Sequence, residues 1–454
     1  MKINTRFRHA IAMLLAVSML AACNNDGADT QNTDATDSTS ADTSAPAQLL
    51  SNPIAVGADG NVDMSVALAY ETDYDAFLAS LDAKTVADGD TVSENSNERT
   101  MEVFKFLKDN YGKNLISAQQ VSNDKQIEDV LYYLETGDLP AMKGFDFLNV
   151  TVNEPGNRSE WTDMAIEWYQ KSGGLVTFCW HWRVPAVIEN ADDPNSRFFY
   201  SEDIDNYCKI NSGTKFSLKN AVTPGTPEYE IIINDIDTVA IELQKLESAG
   251  VTVLWRPLHE GSGAWFWWGV ADREIAKEEC YQKLWYILFD RLENYHKLTN
   301  LIWVWNGQSK HTVVHPNTYD ISGIDVYPNT TDHSVQEAKF NMLDGITEKG
   351  KMLALTEVGY IPDPDELAAS ETVDWLYYMP WNYDFVYNGT NIYGIPKINE
   401  ERMTSEFLKK TFAHENVITW SELPQWEGTS REIPESINSQ MMYINLTLEE
   451  EGAQ

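Results

Sequence analysis

The sequence predicts an α/β protein, a (β/α)8 TIM barrel preceded by a short N-terminal extension. Two observations carry that prediction. From about residue 98 onward, short apolar or β-branched runs alternate with helical patterns, the spacing of βα units on a parallel sheet. The runs number eight, the count that closes such a barrel, and a chain of 454 residues is long enough to hold one barrel with insertions. One catalytic-sized domain over residues 98–425 is therefore the simplest organisation.

Residues 1–22 read as an export signal. Lys2, Arg6 and Arg8 precede an apolar run from Ile11 to Ala22, which is too short to span a membrane as a permanent helix. Leu20-Ala21-Ala22-Cys23 resembles the lipobox of bacterial lipoproteins, which implies acylation at Cys23 and a secreted, lipid-anchored envelope protein. Asn24 follows the cysteine where aspartate would signal inner-membrane retention, so outer-membrane anchoring is the expectation in a Gram-negative cell. Residues 23–49 are nearly all small and polar, a composition that cannot bury enough surface to fold and reads as a flexible tether. Residues 50–97 hold some apolar alternation (Val62, Met64, Val66, Leu68) and an amphipathic stretch (Tyr74, Phe77, Leu78, Leu81), expected as a small extension packed on the barrel.

The eight strand expectations are Asn114 to Gln119, Phe145 to Thr151, Leu175 to Trp182, Val251 to His259, Leu301 to Trp305, Ile321 to Tyr327, Met352 to Glu357 and Leu376 to Trp381. After the second, Ser159 is placed to cap a helix carrying Trp161, Ala165 and Trp168 that stops at Gly173-Gly174. After the fourth, Ala276, Cys280, Leu284, Leu288, Leu292 and Tyr295 recur on one helical face. The connection from Pro185 to about Pro227 is long for a βα loop and is expected to shape a cleft. Residues 426–454 show no clear element and read as a tail.

Composition narrows the partners. Lys plus Arg total 33 against 70 for Asp plus Glu, a formal charge of −37, which argues against nucleic acid and against anionic membrane surfaces; the only membrane contact expected is the lipid anchor. A neutral polymer fits that balance. Without Cys23, the remaining Cys179, Cys208 and Cys280 are odd in number and indicate no disulfide framework. No His/Cys spacing resembles a metal site, so neither a metal nor a cofactor is expected, and the expected state is a monomer.

The chemistry lies at the strand ends, because barrel active sites form at the C-terminal ends of the strands. Glu260 follows the fourth strand in Arg256-Pro257-Leu258-His259-Glu260, beside Trp265-Phe266-Trp267-Trp268. Glu357 closes the seventh. His181 follows the third, Asp325 and Tyr327 lie on the sixth, and Trp381 closes the eighth. Two strand-end carboxylates among aromatic faces are what glycoside hydrolysis needs, one as acid/base and the other as nucleophile or base. Arg256 and Asp325 are placed to pair on the floor of such a site. By strand alternation, some of Trp180, Trp182, Trp267 and Trp268 must pack into the barrel wall.

Five segments in this order make the chain similar to glycoside hydrolase family 26, the β-mannanases: Val176-Thr177-Phe178-Cys179-Trp180-His181-Trp182, Trp255-Arg256-Pro257-Leu258-His259-Glu260, Trp265-Phe266-Trp267-Trp268-Gly269, Asp325-Val326-Tyr327 and Leu355-Thr356-Glu357-Val358-Gly359. A histidine directly before the first glutamate distinguishes this family from relatives that carry asparagine there. The resemblance implies a retaining enzyme in which Glu260 is the acid/base and Glu357 the nucleophile, with His181, His259, Trp265, Asp325, Tyr327 and Trp381 binding substrate. Residue chemistry agrees: aromatic surroundings should raise the pKa of Glu260, and a hydrogen bond from Tyr327 would hold and aim Glu357. The implied substrate is β-1,4-mannan, glucomannan, galactomannan or their manno-oligosaccharides, attacked within the chain. Release of mannobiose from chain ends, action on β-1,3-xylan or mixed-linkage β-glucan, and a non-catalytic polysaccharide-binding lipoprotein are the alternatives. Gly261-Ser262-Gly263 departs from the family, which often has Asn or Met after the acid/base, and Asn382 stands where some relatives have arginine.

Overall fold

The computed structural model describes residues 51–122, 126–151, 160–186, 188, 197–200, 213–263, 265–270, 275–390 and 395–452. Cys23, the signal and the tether fall outside the described residues, as do Ser159 and Cys208. Among the described residues no helix is long and apolar enough to cross a membrane.

Eight parallel strands form the barrel: β1 (Leu115–Gln120), β2 (Met142–Asp146), β3 (Leu175–Cys179), β4 (Val253–Arg256), β5 (Leu301–Trp305), β6 (Ile321–Val326), β7 (Met352–Val358) and β8 (Trp375–Pro380). Each pairs with its neighbour in chain order, and β8 returns to β1 through Ile116↔Tyr377 and Ser117↔Tyr378, closing the sheet. A short strand, Val417–Ile418, pairs in parallel with the first two residues of β1. Residues along these strands are buried almost throughout, as expected of strands covered by helices outside and filled by side chains inside.

The second strand corrects the sequence reading. It spans Met142–Asp146 rather than 145 to 151, so it ends at Asp146. Its start was hidden by Lys143, which reads as a surface residue. That lysine is fully buried because Asp129 lies 3.1 Å from its ammonium group, Gln126 accepts from it, and Trp168 lies beneath it at 4.2 Å. The other strands begin within two residues of their expected starts, and β3 and β4 end early, at Cys179 and Arg256, so that His181, His259 and Glu260 stand on loops just beyond the strands.

The helix after the second strand, Glu160–Ser172, buries Ala165 and Trp168 and turns at Gly173 with φ +70°, the left-handed conformation that favours glycine. The helix Ile275–Asp290 continues into a π-helical turn, Arg291–Tyr295, and buries Cys280, Leu284, Leu288 and Leu292. In the N-terminal extension, helix Tyr74–Ala83 is capped by Asp73 and sets Phe77 against Phe289, while Arg291 and Asp290 tie down Ala67, Tyr70 and Thr72.

The C-terminal segment is not a featureless tail. Helix Glu435–Gly452 buries Ile437, Met441 and Ile444 and packs on helix Ile127–Thr136. Three apolar residues at i, i+4 and i+7 are a minimal helical stripe, easily lost among Ser, Asn and Gln. The barrel surface, not intrinsic propensity, makes it a helix.

Candidate active site

Glu260 is set by an unusual stretch of backbone. Leu258 and Glu260 both adopt left-handed conformations, φ 51° and 52°, at a cost of about 1–3 kcal/mol each. The surroundings fix that geometry: Tyr281 Oη donates to the Leu258 carbonyl (3.0 Å), Trp268 Nε1 to the His259 carbonyl (2.9 Å), and the Glu260 N–H to the Asn306 carbonyl (2.9 Å). The glycines after Glu260 have a steric reason. A Cβ on Gly261 would meet Tyr281 at 2.4 Å, and one on Gly263 would meet the Trp265 ring at 2.5 Å. The chain doubles back so closely that Trp265 Nε1 reaches Glu260 Oε2 at 2.6 Å.

Glu357 is aimed by a bulge. On β6 and β7, Ile324 faces Leu355 but Asp325 faces Glu357, leaving Thr356 as the extra residue. Arg256 Nη2 donates to Glu357 Oε1 at 2.6 Å, and Tyr327 Oη donates to Oε2 at 2.5 Å. Both oxygens are thus engaged, one by a cation.

Beneath the two glutamates lies a closed polar floor. The expected pairing of Arg256 with Asp325 is present at 3.4 Å, and Asp325 also accepts from Thr356 Oγ1 (2.6 Å) and Asn306 Nδ2 (3.2 Å). Asn306 in turn takes hydrogen bonds on Oδ1 from Arg256 Nη1 (3.3 Å) and the Glu260 backbone (3.2 Å), so it ties β4, β6 and β7 together. Sequence reasoning missed Asn306, although it directly follows β5 and the strand-end rule applies to it. The Asp325 side chain has no accessible surface.

One carboxylate oxygen from each of Glu260, Asp325 and Glu357 lies within 4.8 Å of the others. Burial, then the nearby Asp325 and Glu357, push the Glu260 carboxyl well above the usual carboxylate range, while the Trp265 hydrogen bond pulls it the other way. Burial and Glu357 likewise push Asp325 up, to about 8, against the donors around it. The Tyr327 hydroxyl is raised well above its usual value by burial and by Glu357, so it stays a donor. The site therefore sets a buried carboxyl, biased toward its protonated form, opposite a second carboxyl held by a guanidinium and a tyrosine hydroxyl.

His181 and His259 meet at the same end of the barrel, Nε2 to Nε2 at 3.2 Å, with His181 Nδ1 on Asp146 Oδ2 at 2.6 Å. Trp381 is nearly buried, 5.8 Å from the His181 ring and packed with Phe385, Phe198 and Tyr327. Trp265 is half-buried at the rim. The long connection after Pro185 does reach the site: Phe198 lies 5.4 Å from His181, and Phe199 bridges to Phe266. Trp180, Trp182, Trp267 and Trp268 are all packing residues, with Trp180 and Trp182 stacked at 3.9 Å.

The family model for glycosyl hydrolase family 26 matches residues 92–406. The chain is 35% identical over 340 residues to a mannan endo-1,4-β-mannosidase B of Piromyces sp, covering 73% of this chain and 53% of that protein. It thus spans about half the length of the curated Piromyces relatives it matches. Among solved structures, it is similar to a β-mannanase from a symbiotic protist of the termite Reticulitermes speratus complexed with gluco-manno-oligosaccharide, with TM-score 0.62, 29% identity, and coverage of 76% and 100% of the two chains. It is also similar to a GH26-CBM35 β-(1,4)-mannanase of Podospora anserina, with TM-score 0.61, 30% identity, and coverage of 75% and 70%.

Proposed function

The chain belongs to glycosyl hydrolase family 26, and from that premise we propose that it is an endo-acting β-1,4-mannanase that cleaves mannan by double displacement. The observation that carries the mechanism is the short separation of Glu260 and Glu357, within 4.8 Å between carboxylate oxygens. Retaining glycosidases place the pair about 5 to 5.5 Å apart, whereas inverting ones leave room for a water between them. Glu357, held by Arg256 and Tyr327, attacks the anomeric carbon, while Glu260 gives its proton to the departing oxygen. Water, deprotonated by Glu260, then releases the sugar with its β configuration. The mannan preference rests on the relatives, a mannan endo-1,4-β-mannosidase and two β-mannanases.

The time course of products from linear β-1,4-mannan tests this reading. Mixed oligosaccharides early in the reaction, with β-anomers formed first by NMR, are expected. Mannobiose alone would replace endo attack by chain-end attack, and no release from mannan would overturn the substrate.

Trp265 gives a second expected result. Its N–H stabilises the charged form of Glu260, so Trp265→Phe, which keeps a ring but loses the donor, should raise the pKa of Glu260 further. Activity requires Glu260 protonated and falls as pH rises through that pKa. The basic limb of the kcat/KM profile should therefore move to higher pH, and an unmoved limb would remove Glu260 from the role of titrating acid. Beyond the reaction itself, the reading includes export, acylation at Cys23 and outer-membrane anchoring; the support for these is the basic and apolar pattern before Leu20-Ala21-Ala22-Cys23 and the polar segment after it.

A further inference from the structure

Asp146 was hidden from the sequence reading by the shifted second strand, and it closes β2 against the site. Its two oxygens take separate bonds from one residue: Oδ1 accepts from the His181 backbone N–H at 3.0 Å, and Oδ2 contacts His181 Nδ1 at 2.6 Å. Cys179 Sγ lies 4.0 Å from the same nitrogen and 3.6 Å from the Phe145 carbonyl oxygen. The 2.6 Å contact is a direct hydrogen bond, shorter than the separation of two atoms sharing a metal ion at about 2 Å each in tetrahedral geometry. A carboxylate has only lone pairs to offer, so the proton belongs on His181 Nδ1.

That assignment propagates. With Nδ1 protonated, a neutral His181 presents a lone pair at Nε2, facing His259 Nε2 at 3.2 Å. Burial is the main cause that holds the His259 imidazole well below its usual pKa, which favours its neutral form with a single N–H. His259 Nδ1 is buried and makes no hydrogen bond among the described residues. Were the His259 proton on Nδ1, a buried N–H would be orphaned; on Nε2, the donor is used and only an acceptor is left over, the more common and less costly deficit. The ring tips therefore offer one acceptor, on His181, and one donor, on His259.

We propose that Asp146 is a positioning residue that fixes the proton on His181 Nδ1, so that the facing tips of His181 and His259 form a matched acceptor and donor for one hydroxyl of the sugar being cleaved. The proposal rests on the hydrolase reading. Each Nε2 has a single site, so binding requires the mutual hydrogen bond to open around the incoming oxygen. A hydroxyl fits because it donates and accepts at once, whereas an ether oxygen or a C–H satisfies only one tip or neither. The carboxylate acts through the ring, as the outer partners of ligating histidines do in metal sites.

Asp146→Asn is the discriminating variant. The amide keeps the shape and an acceptor for the His181 backbone N–H, but turns an N–H toward His181 Nδ1. The proton then moves to His181 Nε2, and the two tips become donor against donor unless His259 also switches. In the full-length protein, the two-bond ¹⁵N–¹H pattern of His181 should change from an Nδ1–H to an Nε2–H signature, with the thermal midpoint nearly unchanged. Toward aryl mannobiosides, kcat/KM should fall roughly 10- to 100-fold. Among substrates each lacking one hydroxyl on the reacting ring, wild type should lose most on one of them, and Asp146→Asn should lose that selectivity. An unchanged tautomer signature, or a loss of activity equal across the deoxy series, would overturn the proposal. Failure of wild type to cleave any β-mannoside would strike the hydrolase reading instead and leave the tautomer result standing.

Discussion

Glu357→Ala is expected to reduce turnover of mannan by roughly 10⁴- to 10⁶-fold, the scale seen when a covalent nucleophile is removed. The loss follows from geometry. Among the described residues no other carboxylate is placed to take its role, because Asp325 is sealed beneath it by Arg256, Thr356 and Asn306. Removing Glu357 also leaves Arg256 without its nearest anion, so Glu357→Gln is a useful companion that keeps the packing. Added azide should restore part of the activity of Glu357→Ala by entering the vacated space and attacking directly, giving the α-mannosyl azide. A β-azide, or substantial residual turnover without azide, would mean that Glu357 is not the nucleophile.

Glu260→Ala is expected to slow hydrolysis of mannan by roughly 10²- to 10⁴-fold, the usual contribution of general acid–base catalysis. The deficit should depend on the leaving group. Dinitrophenolate departs without a proton, so Glu357 can still form the glycosyl-enzyme with an aryl mannobioside, and the slow step becomes its hydrolysis. A burst of dinitrophenol, a lowered KM and a β-azide product with azide present are the expected signs. The basic limb of the pH profile should vanish with the residue that produces it. Equal loss on activated and natural substrates would sink the acid/base assignment. Because burial and two neighbouring carboxyls all raise the Glu260 pKa, the wild-type enzyme should retain its acid above the pH at which an exposed glutamate would have ionised.

The same residues show how far the sequence reaches. Glu260 and Glu357 were legible because each follows an apolar run whose character survives in one dimension, and because barrel strands deliver their ends to one face. The pairing of Arg256 with Asp325 followed from the same rule. Asp146 was not legible, since Lys143 broke the apolar run and its buried partner, Asp129, lies fourteen positions earlier on a different element. Asn306 obeyed the rule but carried no chemistry of its own until the structure placed its amide among Arg256, Glu260, Gln308, Asp325 and Thr356.

By itself, the sequence determined the barrel, the order of its strands, the two carboxylates and the aromatic wall, all of which depend on local patterns of burial and on position along a strand. Only the tertiary structure decided the left-handed turn that presents Glu260, the bulge that aims Glu357, the Asp146–His181–His259 chain and the helix formed by the C-terminal segment. Each of these is set by partners far apart in sequence, through hydrogen bonds or packing that no local pattern records.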